Sequence, residues 1–225
     1  MILEKKSHYS AYKISLDALP EEFQAPAELY RELARRMPHY RAGLREGSAR
    51  LESLDDRFQA ENDHNPIHHM ESRMKTAESI LEKARRRGFP LTAEGILENV
   101  RDVAGLRVIC NYIDDVYRLA ELIMVQEGLK VLKVSDYIAK PKENGYRSLH
   151  IVVEVPVHSD PEVAAVPVEV QLRTIAMDTW ASLEHEMIYK SKRGAGDIDR
   201  IKLKICADEL ADVDRYMQEI YKELC

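Results

Sequence analysis

Four short runs, "AGLRVICNYI", "LKVLKVSDYI", "SLHIVVEVPV" and "VPVEVQLRT", lie between residues 104 and 174. Each has strand length and is rich in Val, Ile and Leu, so the four can satisfy their backbones and bury their apolar sides only in a shared sheet. Helical spacing governs the flanks. Residues 21 to 62 are rich in Glu, Leu, Arg and Ala, and Pro26 and Pro38 fit best near helix starts. The segment "NDHNPIHH" breaks that pattern. A helix is predicted over 72 to 87, ended by Gly88 and Pro90. A further helix at about 114 to 126 separates the first two strands. Two more, at about 175 to 190 and 197 to 223, follow the last strand, hinged at Gly194 to Gly196. This order predicts an α+β fold, a mixed sheet flanked by helices with helical extensions at both ends.

A chain of 225 residues with 45% hydrophobic and 32% charged residues can fill a core. Its net charge of −6 opposes non-specific binding to nucleic acid or anionic membranes, so an anionic ligand needs a local basic site. Cys110, Cys206 and Cys225 lack metal-ligand spacing and point to a reducing compartment, with Cys110 as a small core residue. No segment approaches the roughly 20 apolar residues of a membrane span, and the amino terminus carries no apolar signal region. The expected location is cytoplasmic.

Several constellations carry chemistry. On the predicted 72–87 helix, Lys75, Ser79, Lys83 and Arg86 fall in one stripe of anion donors, opposite Met74, Ala77, Ile80, Leu81 and Ala84. On spacing alone the simpler reading is a solvated basic side. Asp102 stands at the entrance to a strand, where a carboxylate suits either a turn or a magnesium ion. In "VPVEVQLRT", alternation buries Val168, Val170 and Leu172 and turns Glu169, Gln171 and Arg173 to the other face. "DYIAKPKENGYRSLH" crowds Lys140, Lys142 and Arg147 beside Tyr137 and Tyr146, more cations than a turn requires. His64 and His68 have i, i+4 spacing, but Pro66 interrupts the helix that a zinc pair would need.

Taken together, "SRMKTAESILEKARRRG", "DVAGLRV", "DYIAKPKENGYRSLH", "VEVQLRT" and "MDTWASLEHEMIYK" resemble the synthetase domain of the RelA/SpoT family. The absence of other domains is similar to its small stand-alone alarmone synthetases. The resemblance runs from about residue 38 to 192 and implies one domain over 1–225. That domain has a helical amino-terminal region at about 21–63, a nucleotidyltransferase-like catalytic core at about 64–192 and a carboxy-terminal helix at about 197–223. It implies transfer of the β,γ-pyrophosphate of ATP to the 3′-hydroxyl of GDP or GTP, with GMP also open, releasing AMP.

By the same resemblance, Arg73 and Arg107 sandwich the adenine, and Lys75, Ser79, Lys83 and Arg86 hold the ATP phosphates. Asp102 and Glu169 bind Mg²⁺, and Glu169 takes the proton of the attacking hydroxyl. Tyr146 stacks on the guanine, Lys142 and His150 lie near its phosphates, and Gln171 and Asp178 contact the same nucleotide. A homo-oligomer, most often a tetramer in this group, is implied, with Leu203, Leu210, Val213, Met217 and Ile220 facing either another subunit or the chain's own sheet. Glu52 and Asp55 occupy positions where some members carry basic residues for allosteric pppGpp, so little activation by pppGpp is expected. Two other readings stay open. One is a related toxin that pyrophosphorylates tRNA, for which "KSKRG" offers a short basic patch, or adenine nucleotides; the other is a non-catalytic nucleotide- or RNA-binding module.

Overall fold

The computed structural model describes residues 2–4, 21–61, 64–158, 163–190, 194 and 196–225. Helix α1 (Glu21–Glu61) runs for 41 residues, about 60 Å at 1.5 Å per residue. Its buried positions, Leu33, Met37, Tyr40, Leu44, Leu51, Leu54 and Phe58, alternate steps of four and three and form one seam against the sheet. Gly47 fills the seam position between Leu44 and Leu51, because an added Cβ would stand 3.1 Å from Leu106 Cδ1. Pro26 lies near the start of this helix, as expected, but the helix continues through Pro38, contrary to the expectation that a helix starts there. An interior proline costs about 3 kcal/mol, but Pro38 faces solvent, and the buried seam on both sides of it holds the helix in register.

Six strands form one mixed sheet in the order β1-β2-β3-β6-β5-β4. They are β1 (Ile2–Glu4), β2 (Ile67–Met74), β3 (Ala104–Cys110), β4 (Lys130–Asp136), β5 (Leu149–Pro156) and β6 (Ala165–Thr174). The pairs β1–β2 and β3–β6 are parallel, and the other three are antiparallel. The four predicted strands are all present. The first part of the predicted 72–87 helix is instead strand β2, and helix α2 (Ala77–Arg87) begins only after Thr76. Pairing to both β1 and β3 outweighs helix propensity there, and Met70 and Ser72 turn inward with strand period. Thr76 then caps α2 by accepting a bond from the Ser79 N–H, and Gly88 closes it at φ 66°. The connection before β3 also holds a short helix, α3 (Ala93–Asn99), which the sequence reading passed over.

Helices α4 (Ile113–Met124), α5 (Ile175–Lys190) and α6 (Asp197–Leu224) lie where the sequence places them. Helices α1 and α4 cover one face of the sheet, over Leu106, Val108, Ile151, Val153, Val168, Val170 and Leu172. Cys110 is fully buried, and burial raises its thiol pKa. The opposite face carries the polar row of β6. Helix α6 packs on α5 and α4, and its buried residues are Ala207, Asp214 and Gln218. Of the stripe read from sequence, Val213, Met217 and Ile220 point to solvent.

The seam makes Gly43 a test of the packing. An Ala there gains about 1 kcal/mol of helix propensity, but its Cβ would stand 2.3 Å from Val166 Cγ2, and overpacking typically costs 1–3 kcal/mol. Gly43→Ala is expected to lower the denaturant midpoint, and adding Val166→Ala should recover much of the loss.

Candidate active site

The open face of the sheet holds two adjoining hollows. The larger, about 270 Å³, is lined by Lys83 of α2, by Asn99, Arg101 and Asp102 ahead of β3, by Lys133, Ser135 and Tyr137 from the β4 side, and by His150, Val152 and Glu169. The smaller, about 60 Å³, is lined by Glu71, Ser72, Arg73, Gly105, Leu106, Arg107 and Gln171. Parallel pairing sets Gly105 beside Glu169 and Arg107 beside Gln171, so the two hollows meet along the β3–β6 seam. Arg73 lies over Gly105, its Cγ and Nε 3.7 Å from where a Cβ would stand. Because Arg73 pairs with Gly105 and Glu71 with Arg107, the two arginines are diagonal neighbours on one face.

Asp102 is the counter-ion of the larger hollow. Lys83 Nζ donates to its Oδ1 at 2.8 Å, and Lys75 Nζ donates to Oδ2. Lys75 stands in the link between β2 and α2, not on the helix, and its N–H donates to Val103 O, which holds it beside Asp102. Burial opposes the charge on Asp102, but the two lysines outweigh it and hold the carboxyl below its usual value. Burial is also the main reason that the Lys75 ammonium is shifted down. Glu169 is the second acid. Its Oε1 lies 3.2 Å from His150 Nδ1, and its Oε2 accepts from Gln171 Nε2 at 2.6 Å. Burial again opposes ionisation, yet these bonds leave its pKa depressed, despite repulsion from Asp102.

The basic loop after β4 supplies the third group. Tyr137, Tyr146 and His150 meet edge to face, with centroids 5.2 to 6.0 Å apart, and Lys142 Nζ lies 4.5 Å from both tyrosine rings. The Tyr146 hydroxyl is 2.8 Å from His150 Nε2 and accepts from Arg173 Nη2 at 2.7 Å. Gly145, at φ 91°, lets this loop lie against α6, where a Cβ would meet Ala207 Cβ at 2.6 Å. Arg147 braces the contact by donating to Ala207 O and Asp208.

The fold thus gathers Lys83, Asp102, His150 and Glu169 around one hollow, with Lys75 bonded to Asp102, Arg73, Arg107 and Gln171 around the other, and Lys142 and Tyr146 beside them. Asp178 does not approach Tyr146 directly; it pairs with Arg173 and Arg107. Ser79 and Arg86 stand exposed on α2 and line neither hollow, so the expected four-residue helical stripe is reduced to Ser79, Lys83 and Arg86. Sequence reading gave no role to Glu71, Lys133, Ser135 or Arg101. Strand period signals Glu71 on β2 and Lys133 and Ser135 on β4, but the end of β2 falls inside the predicted helix, and Arg101 stands in the turn before β3. His64 accepts a different partner from the one a zinc pair would need, lying 2.9 Å from Asp115. Most of "KSKRG" lies outside the described residues.

Residues 72–194 match the family model described as a region found in RelA and SpoT proteins. The chain is 41% identical to the GTP pyrophosphokinase YwaC of Bacillus subtilis, over 77% of this chain and 86% of that protein. It is 36% identical to the GTP pyrophosphokinase YjbM of the same organism, over 82% and 86%. Among solved structures, small alarmone synthetase 1 of Bacillus subtilis bound to its product pppGpp superposes with a TM-score of 0.78 at 35% identity, covering 85% of this chain and 97% of that one. The mixed sheet flanked by helices is the shared frame. The chain belongs to the RelA/SpoT family.

The depressed carboxyls give a pH test. The ordinary values are 3.8 for Asp102 and 4.5 for Glu169, and both groups titrate lower in the fold. Their ionised forms therefore stabilise the fold fully above the ordinary values, and that contribution is lost as pH falls through the lower folded-state values. Thermal melts from about pH 7 to about pH 3 should show Tm falling at the acid end, with a shallower fall in Glu169→Gln. An identical acid slope in the variant would remove Glu169 from this account.

Proposed function

We propose that the chain transfers the β,γ-pyrophosphate of ATP to the 3′-hydroxyl of GDP or GTP, with GMP as a third acceptor, making (p)ppGpp and releasing AMP. The observation that carries this reading is the pair of ionised carboxylates, Asp102 and Glu169, facing one cation-lined hollow between an arginine cleft and a Tyr/Lys/His cluster. Arg73 and Arg107 offer planar guanidinium faces for adenine. Tyr146 offers a ring for guanine, and such stacking is worth roughly 1–3 kcal/mol per base. Lys75, Lys83 and, further along α2, Ser79 and Arg86 would meet the phosphates.

In the reaction, the 3′-oxygen bonds to the β-phosphorus as the bond to the α,β-bridging oxygen breaks, and AMP leaves with that oxygen. The hydroxyl proton passes to Glu169, which its hydrogen bonds keep ionised and aimed. Positioning and charge cancellation do the rest. A magnesium ion fits this donor set, since Mg²⁺ takes one or two carboxylates and completes its shell with phosphate and water. Asp102 and Glu169 would hold it, and it would neutralise charge on the transferred group and the leaving oxygen. Lys75 and Lys83 are Asp102's partners in the fold.

The assembly partner is another copy of the chain. Leu183 and Met187 of α5, with Ile201 and Ile205 of α6, are each about half exposed or more, apolar positions that a second subunit would cover. Light scattering on the purified protein should report a multimer, with a tetramer favoured; a monomer at working concentration would remove this part. No helix among the described residues is long and apolar enough to cross a membrane, and a cytoplasmic site of action accords with an ATP-using enzyme.

The test uses labelled ATP, Mg²⁺ and each guanine nucleotide, with products resolved by anion exchange. A 3′-pyrophosphorylated guanine nucleotide and AMP are expected, with turnover in Glu169→Gln lower by on the order of 10² to 10⁴ and nucleotide affinity retained. Added pppGpp should leave the initial rate unchanged, because Glu52 and Asp55 oppose a polyphosphate. Full activity of Glu169→Gln would overturn the base assignment, and transfer only to tRNA would overturn the acceptor.

A further inference from the structure

One chain of charges runs from the smaller hollow to the tyrosine beside the larger one. Arg173 Nη1 donates to Asp178 Oδ1 at 2.9 Å, and Arg107 Nη1 lies 3.4 Å from the same oxygen. Outward from this shared atom, Arg107 Nη1 donates to Glu71 Oε2 at 3.2 Å. On the other side, Arg173 Nη2 donates to the Tyr146 hydroxyl at 2.7 Å and to Gln171 Oε1 at 3.2 Å. One carboxylate, delivered by the first turn of α5, is thus divided between a guanidinium of the arginine cleft and the guanidinium that holds the acceptor tyrosine.

The division matters because water reaches little of Arg173. The Arg173 side chain is 5% exposed, and the Nε atoms of Arg107 and Arg173 are buried without a hydrogen-bond partner. Each guanidinium therefore depends on its terminal nitrogens for neutralisation. Arg107 also feels burial and then the like charge of Arg173, offset by Asp178. With one acid between two cations, a movement of either changes the share of Asp178 left to the other. If an adenine draws Arg107 toward Arg73, Asp178 turns more fully to Arg173, and the Arg173 to Tyr146 bond is held more firmly. The ring is then fixed before the second nucleotide stacks on it, which removes part of the ordering that binding must otherwise impose.

We propose that Asp178 and Arg173 are positioning residues that couple the two nucleotide subsites, so that the adenine nucleotide tightens binding of the guanine nucleotide. This rests on the functional reading above, which assigns the arginine cleft to adenine and Tyr146 to guanine. Linkage requires the effect to be reciprocal: the guanine nucleotide tightens binding of the adenine nucleotide by the same factor.

The experiment is calorimetry with Mg²⁺ and two probes, GDP and an α,β-methylene analogue of ATP that cannot transfer. In the wild type, saturating analogue is expected to lower the Kd of GDP by about five- to tenfold, and saturating GDP to lower that of the analogue equally. In Asp178→Asn, which keeps size and removes the charge, both factors should fall to about one while each nucleotide still binds alone. Tyr146→Phe keeps the ring and deletes the hydroxyl that Arg173 holds. It should lose the coupling too, and combining it with Asp178→Asn should add nothing, which keeps the test available if the first variant folds poorly. In steady state, the KM of GDP should become independent of ATP concentration in Asp178→Asn. Coupling that survives in either variant overturns the proposal, as does a wild type whose two affinities ignore each other. A wild type that binds neither probe overturns the functional reading as well, so the two failures are distinguishable.

Discussion

The parallel pairing of β3 with β6 places Gly105 beside Glu169 and Arg107 beside Gln171, and the arrangement of the open face follows from it. Asp102 and Glu169 come from distant parts of the chain, yet this register brings both to one hollow. The pairing is possible because the reverse face of both strands is apolar, so that Leu106, Val108, Val168, Val170 and Leu172 seat together beneath α1 and α4. A slip of one residue would turn Glu169 and Gln171 into that core and expose the valines. The hydrophobic face therefore specifies the register of the polar face, although it contributes no chemistry.

Charge on the open face is arranged in shared sets, not in isolated pairs. Asp102 serves two lysines, Glu169 is held by His150 and Gln171, and Asp178 serves two arginines. For Asp102 and Glu169 the shared bonds outweigh burial and hold both carboxyls below their ordinary values. Sharing also leaves the cations able to change partners when phosphates arrive, at a smaller penalty than moving a bare charge into a dry site. A chain with a net charge of −6 can thus present a locally cationic hollow to an anionic ligand.

The parts legible in the sequence were those with a strong local period. The four strands, α4, α5, α6 and the alternation in β6 stand where the pattern placed them. The errors share one cause. Residues 72–74 read as the start of a helix because the residues that follow are helical, but two neighbouring strands, one of them a three-residue segment near the amino terminus, claim their hydrogen bonds. Pro38 read as a helix start, because the seam of α1 that carries the helix past it is visible only against the sheet. The apolar stripe of α6 fitted either another subunit or the chain's own sheet, and in the fold Val213, Met217 and Ile220 face solvent while the buried positions include Asp214, which accepts from Thr174, and Gln218, which accepts from the Asp114 N–H.

By itself, the sequence determined the fold class, the two faces of β6, the turn at Gly88 and the motifs that mark the family. These depend on residues near one another in the chain, whose periods and turn preferences act locally. Only the tertiary structure decided that Lys75 leaves the helix to meet Asp102, that Asp178 joins Arg107 to Arg173, and that Tyr146 is tied through His150 to Glu169. Each of these joins side chains from separate elements, and the choice among their possible partners is made by strand register and burial, which no local pattern encodes.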